Sequence, residues 1–515
     1  MRVGLSRGAR SAAALAGAVW LSLARAGLAG TAGVATPEAL GRELAGLVES
    51  SAAPGATWGV HVVALESGRV LFSTNAGRLL VPASNTKLLT VAAALDRFGP
   101  AHRFGTTLAA GAGPRDGVLA GDLVVIGRGD PGPPGRRVPG GADPLAPWVQ
   151  AIRAAGIREI AGRVRVSDRG FPGGPAGAGW NWDDLPEAYG APVSGVAVHD
   201  SCVTVRVTGG TVEGAPVEAT LEPPTRQLGL RVRATTAAAQ GPLSVRVRRL
   251  PGMPVLEVAG SLPARRVHAE RMAVPDGEAF FGEQLAAALA AQGVRVAGGF
   301  AVERVDRDAP ATVPVVLAEV PSRPLAEIAA DCLKPSDNRV AHLLLLAMGR
   351  DARERPRAGE GERDDEAAGV AVVQRFLRRA GIQEHEATLE EGSGLSRKNL
   401  VTPSALVRLL AYMERHPHAA AWRDALPEPG ADGTLRHRLA DLPATARLRA
   451  KTGTLRQLHS LAGTLSTARG DRLAFAILVN GYLPSTPGST ARAEMDALVG
   501  GLARYGGPVS GGAGR

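Results

Sequence analysis

The sequence predicts a mixed α/β (α+β) protein in which helices pack on a five-stranded antiparallel sheet, interrupted by a large β-rich insertion. Two strand-like runs, 57–65 and 69–73, are joined by a Glu-Ser-Gly turn and followed by an apolar helix. Near the end of the chain, three strand-like runs follow one another at 447–454, 459–468 and 472–482. Residues 99–321 are rich in Gly, Pro and short strands. We therefore expect both ends of the chain to build one sheet.

Local signals place the remaining elements. Thr36 followed by Pro37 is typical of a helix start, and the amphipathic pattern runs to about Ser50. Alternation at period two predicts a small all-β module at about 200–262, with strands at 202–207, 217–221, 229–235, 243–248 and 255–259. Apolar periodicity predicts helices at 279–292, 325–333, 339–348 and 489–505. The charge-rich segment 351–365 is expected to be a solvated loop.

The chain divides into five parts on this basis. We expect a signal peptide at 1–29, the first part of the sheet-and-helix unit at 30–98, an inserted region of two subdomains at 99–322, the second part at 323–506, and a flexible tail at 507–515. The first segment has the basic residues Arg2, Arg7 and Arg10 before an apolar run too short to span a bilayer. A retained N-terminal anchor is the alternative. The location expected is secreted, periplasmic or cell-envelope, with membrane association at most peripheral.

Composition excludes several classes of function. The formal net charge of +10 suits anionic polymers of a cell envelope, but aromatic residues at 4% without basic interleaving argue against nucleic acid.

His385-Glu386 resembles the start of a zinc-peptidase helix, but position 389 is Leu, so we expect no metal site and no cofactor. Cys202 and Cys332 cannot form a disulfide framework, and free buried thiols are favoured over a single bridge.

Lysine is rare in this chain, and one lysine has a notable position. Of 59 basic residues only four are lysines, namely Lys87, Lys334, Lys398 and Lys451. Lys87 follows Ser84 by three residues at the start of an apolar helix, so both side chains share one face. A buried lysine can lose its proton and activate a serine, whereas arginine cannot. Ser84 is therefore a candidate nucleophile and Lys87 its base.

Two rarer motifs follow Ser84 and Lys87 in the order that an acyl-transfer site needs. Ser336-Asp337-Asn338 supplies a hydroxyl for proton transfer to the leaving nitrogen, through Ser336, and an amide for the substrate backbone, through Asn338. Lys451-Thr452-Gly453-Thr454 supplies a cation and two hydroxyls suited to a terminal carboxylate. Gly453 would let a substrate lie against the strand. The N–H groups of Ser84 and Thr454 are the expected oxyanion donors.

This trio of motifs is typical of class A β-lactamases and penicillin-binding proteins. Beyond it, the segments 121–131, 179–194, 392–397 and 432–435 resemble the low-molecular-mass class C penicillin-binding D-alanyl-D-alanine carboxypeptidases/endopeptidases of peptidase family S13. The resemblance covers nearly the whole chain after the signal segment. It implies a β-lactamase/transpeptidase-like core, cleavage of peptidoglycan stem peptides or cross-links without metal, and acylation of Ser84 by β-lactams. It also implies an acidic residue in the insertion that recognises the diamino acid of the stem, and Asp168 fits that position.

Two other functions stay open at this level. A β-lactamase would share the nucleophile, but no Glu-x-x-Leu-Asn segment lies between Asn338 and Lys451 to place a deacylating water. A non-catalytic envelope protein would use the β module to hold peptidoglycan, although complete motifs speak against it. Neither the balance between carboxypeptidase and endopeptidase nor the oligomeric state follows from the sequence.

Overall fold

The fold is described from a computed structural model covering residues 36–53, 55–131, 143–171, 174–304, 315–355, 364–483 and 490–509. The expected signal peptide at 1–29 and most of the expected tail at 507–515 lie outside these ranges. Within them, no helix is both long enough and apolar enough to cross a membrane.

Three stretches of chain contribute the helices and strands. The first contains α1 Pro37–Glu49, β1 Thr57–Ala64, β2 Val70–Thr74 and α2 Thr86–Phe98. The insertion contains β3 Gly105–Ala110, β4 Val118–Leu119, β5 Leu123–Gly127, α3 Ala146–Ala154, β6 Glu159–Ile160, β7 Val164–Ser167, β8 Cys202–Thr208, β9 Glu218–Glu222, β10 Gly229–Val232, β11 Thr235–Ala237, β12 Arg246–Arg249, β13 Val255–Ala259, β14 Ser261–Pro263, β15 Val267–Ala273, α4 Gly277–Ala291, β16 Arg295–Val296, β17 Phe300–Glu303 and β18 Val315–Pro321. The last contains α5 Leu325–Leu333, α6 Asn338–Glu354, α7 Asp365–Arg379, β19 Ala387–Thr388, β20 Leu400–Val401, α8 Pro403–Glu414, α9 Ala419–Ala425, β21 Arg449–Leu455, β22 Leu458–Ser466, β23 Arg472–Asn480 and α10 Thr490–Arg504.

The central sheet joins both ends of the chain, as the sequence predicts. Its order is β2-β1-β23-β22-β21, and every neighbouring pair is antiparallel. Successive residues of β23 point to opposite faces. Phe475 enters the core shared with α1 and α10, whereas Ala474 and Ala476 enter the core shared with the other helices. Small side chains on that second face let the helices approach the sheet closely.

Helix α2 lies in the middle of the helical layer. Its residues from Thr86 to Leu95 are all buried, so the helix has no solvent face along most of its length. It contacts α5, α6 and α7. A helix that is covered on all sides is a rigid support for whatever its N-terminus carries.

The insertion has more regular structure than the sequence indicates. A five-stranded mixed sheet, β17-β7-β5-β3-β18, and helix α3 accompany the expected β module and the helix expected at 279–292, which is α4. The module itself contains the sheets β15-β8-β9, β10-β13-β12 and β11-β14. The single run expected at 229–235 is split into β10 and β11, which belong to different sheets. Helix α3 and the two-residue strands are too short to show a readable period.

The expected loop at 351–365 is wrong at both of its ends. Helix α6 continues to Glu354 and α7 begins at Asp365, where Asp364 caps it by accepting from two backbone N–H groups. The two helices touch at glycines. A Cβ on Gly349 would lie 1.8 Å from the Asp365 carbonyl oxygen, and one on Gly369 would lie 2.3 Å from that of Leu345.

We expect Gly349→Ala to destabilise the protein, because the new methyl group meets backbone atoms that cannot move aside. Overpacking of this kind costs about 1–3 kcal/mol or more. Gly46→Ala in α1 is the matched control: nothing lies within 4 Å of its Cβ position, and alanine favours a helix by about 1 kcal/mol. Urea denaturation followed by circular dichroism should therefore move the two midpoints in opposite directions. Equal midpoints would contradict the close helix packing.

Candidate active site

The candidate nucleophile lies on a short turn that precedes α2. Residues Ala83–Asn85 form one 3₁₀ turn, and Ala83 has a φ of +48°. The Ser460 hydroxyl donates to the Pro82 carbonyl at 2.6 Å, and a Cβ on Gly394 would lie 1.9 Å from the Ala83 carbonyl oxygen. These contacts fix the turn from two sides. Ser84 is half-buried on a cleft, whereas its neighbours Ala83 and Asn85 are buried.

Lys87 is fully buried beneath Ser84 and has three oxygen partners. Its Nζ lies 2.9 Å from Ser84 Oγ and donates to Asn338 Oδ1 at 2.5 Å and to the Ser393 carbonyl at 2.6 Å. Burial disfavours the ammonium form and lowers the pKa of Lys87 to about 8, against the opposing influence of Cys332, Glu391 and Asp337. The amine is therefore close to losing its proton at neutral to mildly alkaline pH.

The partners of Lys87 also orient its lone pair. A neutral amine has two N–H groups and one lone pair. If the two N–H groups are directed at Asn338 Oδ1 and the Ser393 carbonyl, the lone pair faces Ser84 Oγ. This arrangement lets the Ser84 hydroxyl donate its proton to Nζ, which is what a general base for a serine nucleophile requires.

The second lysine of the motifs holds the second serine. Lys451, on β21, is fully buried, and its Nζ donates to Ser336 Oγ at 2.8 Å and to the Thr452 carbonyl at 2.7 Å. Burial, and then the charge of Lys87, hold the pKa of Lys451 well below its usual range. Ser336 has a φ of +68° and lines the cleft. Its hydroxyl is placed between a proton donor and the open space.

Asn338 has a different set of contacts from the one expected. Its Oδ1 accepts from Lys87, and its Nδ2 donates to the Tyr189 carbonyl at 2.8 Å. The expected contact with a substrate backbone would have to compete with these bonds. In the structure, the Asn338 amide connects the base to the insertion, and Asp337 caps α6 by accepting from Val340 N at 3.0 Å.

Strand β21 forms one wall of the cleft and is an edge strand of the central sheet. Thr452 and Thr454 line the cleft, and their hydroxyls bond Thr434 Oγ1 at 2.7 Å and His459 Nδ1 at 3.2 Å. Gly453 is required for another reason than the expected one. A Cβ there would lie 2.2 Å from Ser460 Oγ, 2.7 Å from the Pro82 carbonyl and 3.0 Å from Ser84 N. The missing side chain makes room for the Ser84 turn.

The cleft has a volume of about 870 Å³ and takes residues from the insertion as well as from the sheet unit. Many of the residues that line the cleft belong to none of the three motifs and have no role predicted from the sequence. They are Asn181, Asp183, Asp184, Tyr189, Leu395, Arg397, Arg456, Gln457, Tyr482 and Arg492. The segment 179–194 had a signal only as a stretch that resembles the family. No local pattern in it identifies which side chains point at Ser84.

Asp168 lies outside the described lining of the cleft. It follows β7, is 8% exposed and lies 3.7 Å from Arg304 Nη1, and it is not among the described residues that line the cleft. The carboxylates that line the cleft are Asp183 and Asp184. Asp184 accepts from Tyr189 Oη at 2.9 Å and from Asn181 Nδ2 at 3.1 Å. The assignment of Asp168 as a substrate contact stays a prediction.

The remaining lysines and the cysteines have no role in the cleft. Lys334 pairs with Asp432, and Lys398 pairs with Glu390 at 3.0 Å. Cys202 and Cys332 are buried free thiols, as expected, and burial raises the pKa of each to about 12. Across the described ranges, no three His, Cys, Asp or Glu side chains are grouped so that they could hold a metal ion.

The comparisons with known proteins identify the family. The model of the D-Ala-D-Ala carboxypeptidase 3 (S13) family matches residues 40–502. The chain belongs to this S13 family. It is 33% identical, over 98% of its length and 93% of the relative's, to a D-alanyl-D-alanine carboxypeptidase of Actinomadura sp. (strain R39). It is 25% identical to D-alanyl-D-alanine carboxypeptidase DacB of Haemophilus influenzae, over 81% of this chain and 84% of DacB.

The solved structures agree on the fold. Penicillin binding protein 4 from Haemophilus influenzae matches with a TM-score of 0.74 at 24% identity, covering 88% of this chain and 97% of that one. The chain therefore shares its α/β fold with penicillin binding protein 4, and the prediction of the fold class is confirmed. The family also gives the enzyme class, a serine-type D-Ala-D-Ala carboxypeptidase.

We expect the rate of Ser84 acylation to rise with pH around a midpoint near 8, because Lys87 accepts the serine proton only when it is neutral. Below that pH the amine is protonated and the rate falls. Lys87→Arg should lower the plateau rate by about 10²–10⁴-fold, since arginine stays charged. Stopped-flow kinetics with a thioester analogue of acyl-D-Ala-D-Ala from pH 5 to 10 measures both quantities.

Lys398→Arg is the matched control for Lys87→Arg, because Lys398 is exposed and pairs with Glu390. It should leave the rate and its midpoint unchanged. A Lys87→Arg variant with the rate of the unmodified protein would show that another group deprotonates Ser84.

Proposed function

We propose that this S13 protein hydrolyses the D-Ala-D-Ala peptide bond of peptidoglycan stem peptides through an acyl-enzyme on Ser84. The observation that carries the proposal is the placement of the Lys87 amine 2.9 Å from Ser84 Oγ, with its other N–H groups directed at two fixed oxygens. The same bond type occurs at stem termini and in cross-links, so the proposal covers carboxypeptidase and endopeptidase activity.

The first chemical step forms the acyl-enzyme. Ser84 Oγ attacks the carbonyl carbon of the scissile bond, and its proton passes to Lys87 Nζ. The negative charge that develops on the carbonyl oxygen is stabilised by the N–H groups of Ser84 and Thr454. As the C–N bond breaks, the leaving nitrogen takes a proton from Ser336, which Lys451 can replenish across the 2.8 Å bond. D-Ala, or the acceptor stem whose amine formed the cross-link, then leaves.

The second step returns the free enzyme. The proton that Lys87 took from Ser84 first passes through solvent to Lys451, which had given one up toward the leaving nitrogen, so both lysines regain their starting forms. A water molecule then attacks the ester carbonyl while the neutral Lys87 accepts one of its protons, and the C–Oγ bond breaks with Ser84 taking that proton from Lys87. Acylation by penicillin would follow the first step, and the name of the structurally similar penicillin binding protein 4 supports it. A β-lactamase needs a group that speeds deacylation. The carboxylates lining the cleft, Asp183 and Asp184, come from the insertion, and we propose a substrate role for them instead.

The two ends of the substrate carry opposite charges, and the cleft offers partners for both. We assign the terminal carboxylate to the hydroxyls of Thr452 and Thr454, in the positive field of Lys451. We assign the amine of the stem's diamino acid to Asp184, which belongs to the inserted region and lines the cleft. Asp184 is held in place by Tyr189 and Asn181.

The proposed substrate lies in the cell envelope, so the protein has to work outside the cytoplasm. Arg2, Arg7, Arg10 and the short apolar run that follows them support export through a signal at 1–29. The division into parts at 30–98, 99–322 and 323–506 is proposed with it, because the insertion and the sheet unit have separate hydrophobic cores.

Incubating the protein and a Ser84→Ala variant with muropeptides and with labelled penicillin tests the function. We expect mass spectrometry to show release of D-Ala from monomeric stems, or conversion of dimers to monomers, with the unmodified protein only. A stable label on Ser84 is expected with penicillin. Rapid penicillin turnover would instead indicate a β-lactamase, and no label with no muropeptide product would indicate a non-catalytic binding protein.

The assignment of Asp184 has its own test. Asp184→Asn should raise KM for stems that carry a free diamino-acid amine, by about 10- to 150-fold if one charge-assisted hydrogen bond of about 1.5–3 kcal/mol is lost. It should leave N-acetylated stems unaffected, because they lack the cation. Asp168→Asn is the matched control and should change neither KM. A higher KM for Asp168→Asn, with no change for Asp184→Asn, would identify Asp168 as the substrate contact instead.

A further inference from the structure

We propose that Glu391 is a positioning residue that holds the Ser393 carbonyl on the Lys87 amine and ties the inserted wall of the cleft to the same point. The inference rests on the proposed function only in that Lys87 activates Ser84. Glu391 does not line the cleft as described, and no motif of the sequence singles it out.

Glu391 organises the loop that follows it. Its side chain is 0% exposed, and its two oxygens accept from five donors. Oε1 accepts from Gly394 N at 2.6 Å, Asn399 Nδ2 at 2.8 Å and Ser396 N at 3.4 Å. Oε2 accepts from Ser393 N at 2.6 Å and Trp180 Nε1 at 3.2 Å. The loop is thus wrapped around one carboxylate, which satisfies N–H groups that would otherwise be buried without partners.

This loop touches the Lys87 amine and the turn that carries Ser84. The Ser393 carbonyl accepts from Lys87 Nζ at 2.6 Å, and Gly394 lies against the Ala83 carbonyl beside Ser84. The preceding Gly392 carbonyl accepts from Thr90 Oγ1 on α2 at 2.7 Å. A shift of the loop would therefore move an acceptor of the base and a wall of the nucleophile's turn together.

The same carboxylate reaches the insertion. Trp180 Nε1 donates to Glu391, and a Cβ on its neighbour Gly179 would lie 2.4 Å from Ser396 Oγ. Trp180 directly precedes the cleft-lining segment that contains Asn181 and Asp184. The wall that we assign to the diamino acid is thus anchored to the loop that fixes the base.

Glu391 also acts on Lys87 through its charge. Burial alone would raise the pKa of Glu391, but the charge of His342 and hydrogen bonds from Ser393 and Trp180 hold this pKa below its usual range, so the carboxylate is ionised. His342 Nδ1 is 3.8 Å from Oε2, and its Nε2 is 3.6 Å from Glu366. The Glu391 charge works against burial and raises the pKa of Lys87.

Other groups act on the same amine from the elements packed around it. Asp337 at the start of α6 and Cys332 on α5 raise the pKa of Lys87 together with Glu391. Lys451 on β21 is coupled to Lys87, since the Lys87 charge lowers its pKa. Removing the charge of Glu391 should therefore lower the pKa of Lys87, while removing its acceptors should loosen the Ser393 carbonyl.

Glu391→Gln separates this role from a merely structural one. Glutamine keeps one acceptor oxygen and adds two donors, so it cannot receive all five hydrogen bonds. We expect the plateau rate of Ser84 acylation to fall by about 10²-fold and the midpoint of its pH dependence to move to lower pH. The matched control, Glu390→Gln, removes the neighbouring carboxylate that pairs with Lys398, and it should keep both quantities.

Glu391→Asp keeps the charge but draws it back by one methylene group. It should keep the midpoint and lower the plateau, and it serves as the deciding variant if Glu391→Gln does not fold by circular dichroism. The inference would be overturned if Glu391→Asp, or a folded Glu391→Gln, had the same plateau rate and the same midpoint as the unmodified protein. Absence of Ser84 acylation in the unmodified protein would instead refute the proposed function.

Discussion

The burial of the Lys87 amine is the constraint on which the rest of the site depends. An amine taken fully out of water needs an oxygen partner for every N–H group, and here the partners come from residues 84, 338 and 393. Those residues lie on a turn, at a helix start and in a loop that are distant in sequence. The sheet and the layer of α2, α5, α6 and α7 bring them to one place. The same burial that requires these contacts also lowers the pKa of the amine to about 8.

The insertion is part of the site because two of its residues contact groups that hold the Lys87 amine. Its Tyr189 carbonyl accepts from Asn338, whose other atom binds Lys87, and its Trp180 donates to Glu391, whose loop also binds Lys87. The first contact reaches the base through Asn338 alone, and the second reaches it through Glu391 and Ser393. Loss of order in the inserted wall would therefore loosen the base as well as the substrate surface.

The sequence alone predicted the features that depend on local pattern or on a rare motif. Strand β23 follows from a continuous apolar run, and Ser84, Ser336 and Lys451 follow from motifs whose order is improbable by chance. Contacts that depend on distant backbone could not be found in this way. Gly453 is a glycine because Ser84 N and the Pro82 carbonyl approach it, and Glu391 is buried because five donors converge on it. Asp168 was chosen from its segment, yet Asp183 and Asp184 reach the cleft.

The distribution of lysine reflects acid–base chemistry more than charge. Lys334 and Lys398 form ion pairs that arginine would also form, whereas Lys87 and Lys451 are both fully buried and interact electrostatically. Two neighbouring ammonium groups in a buried region repel each other, and the charge of Lys87 lowers the pKa of Lys451 in addition to the effect of burial. Lys451 in turn gives up its own proton more readily toward Ser336. Arginine at either position would keep its charge and stop this exchange, because its guanidinium does not lose a proton in this pH range.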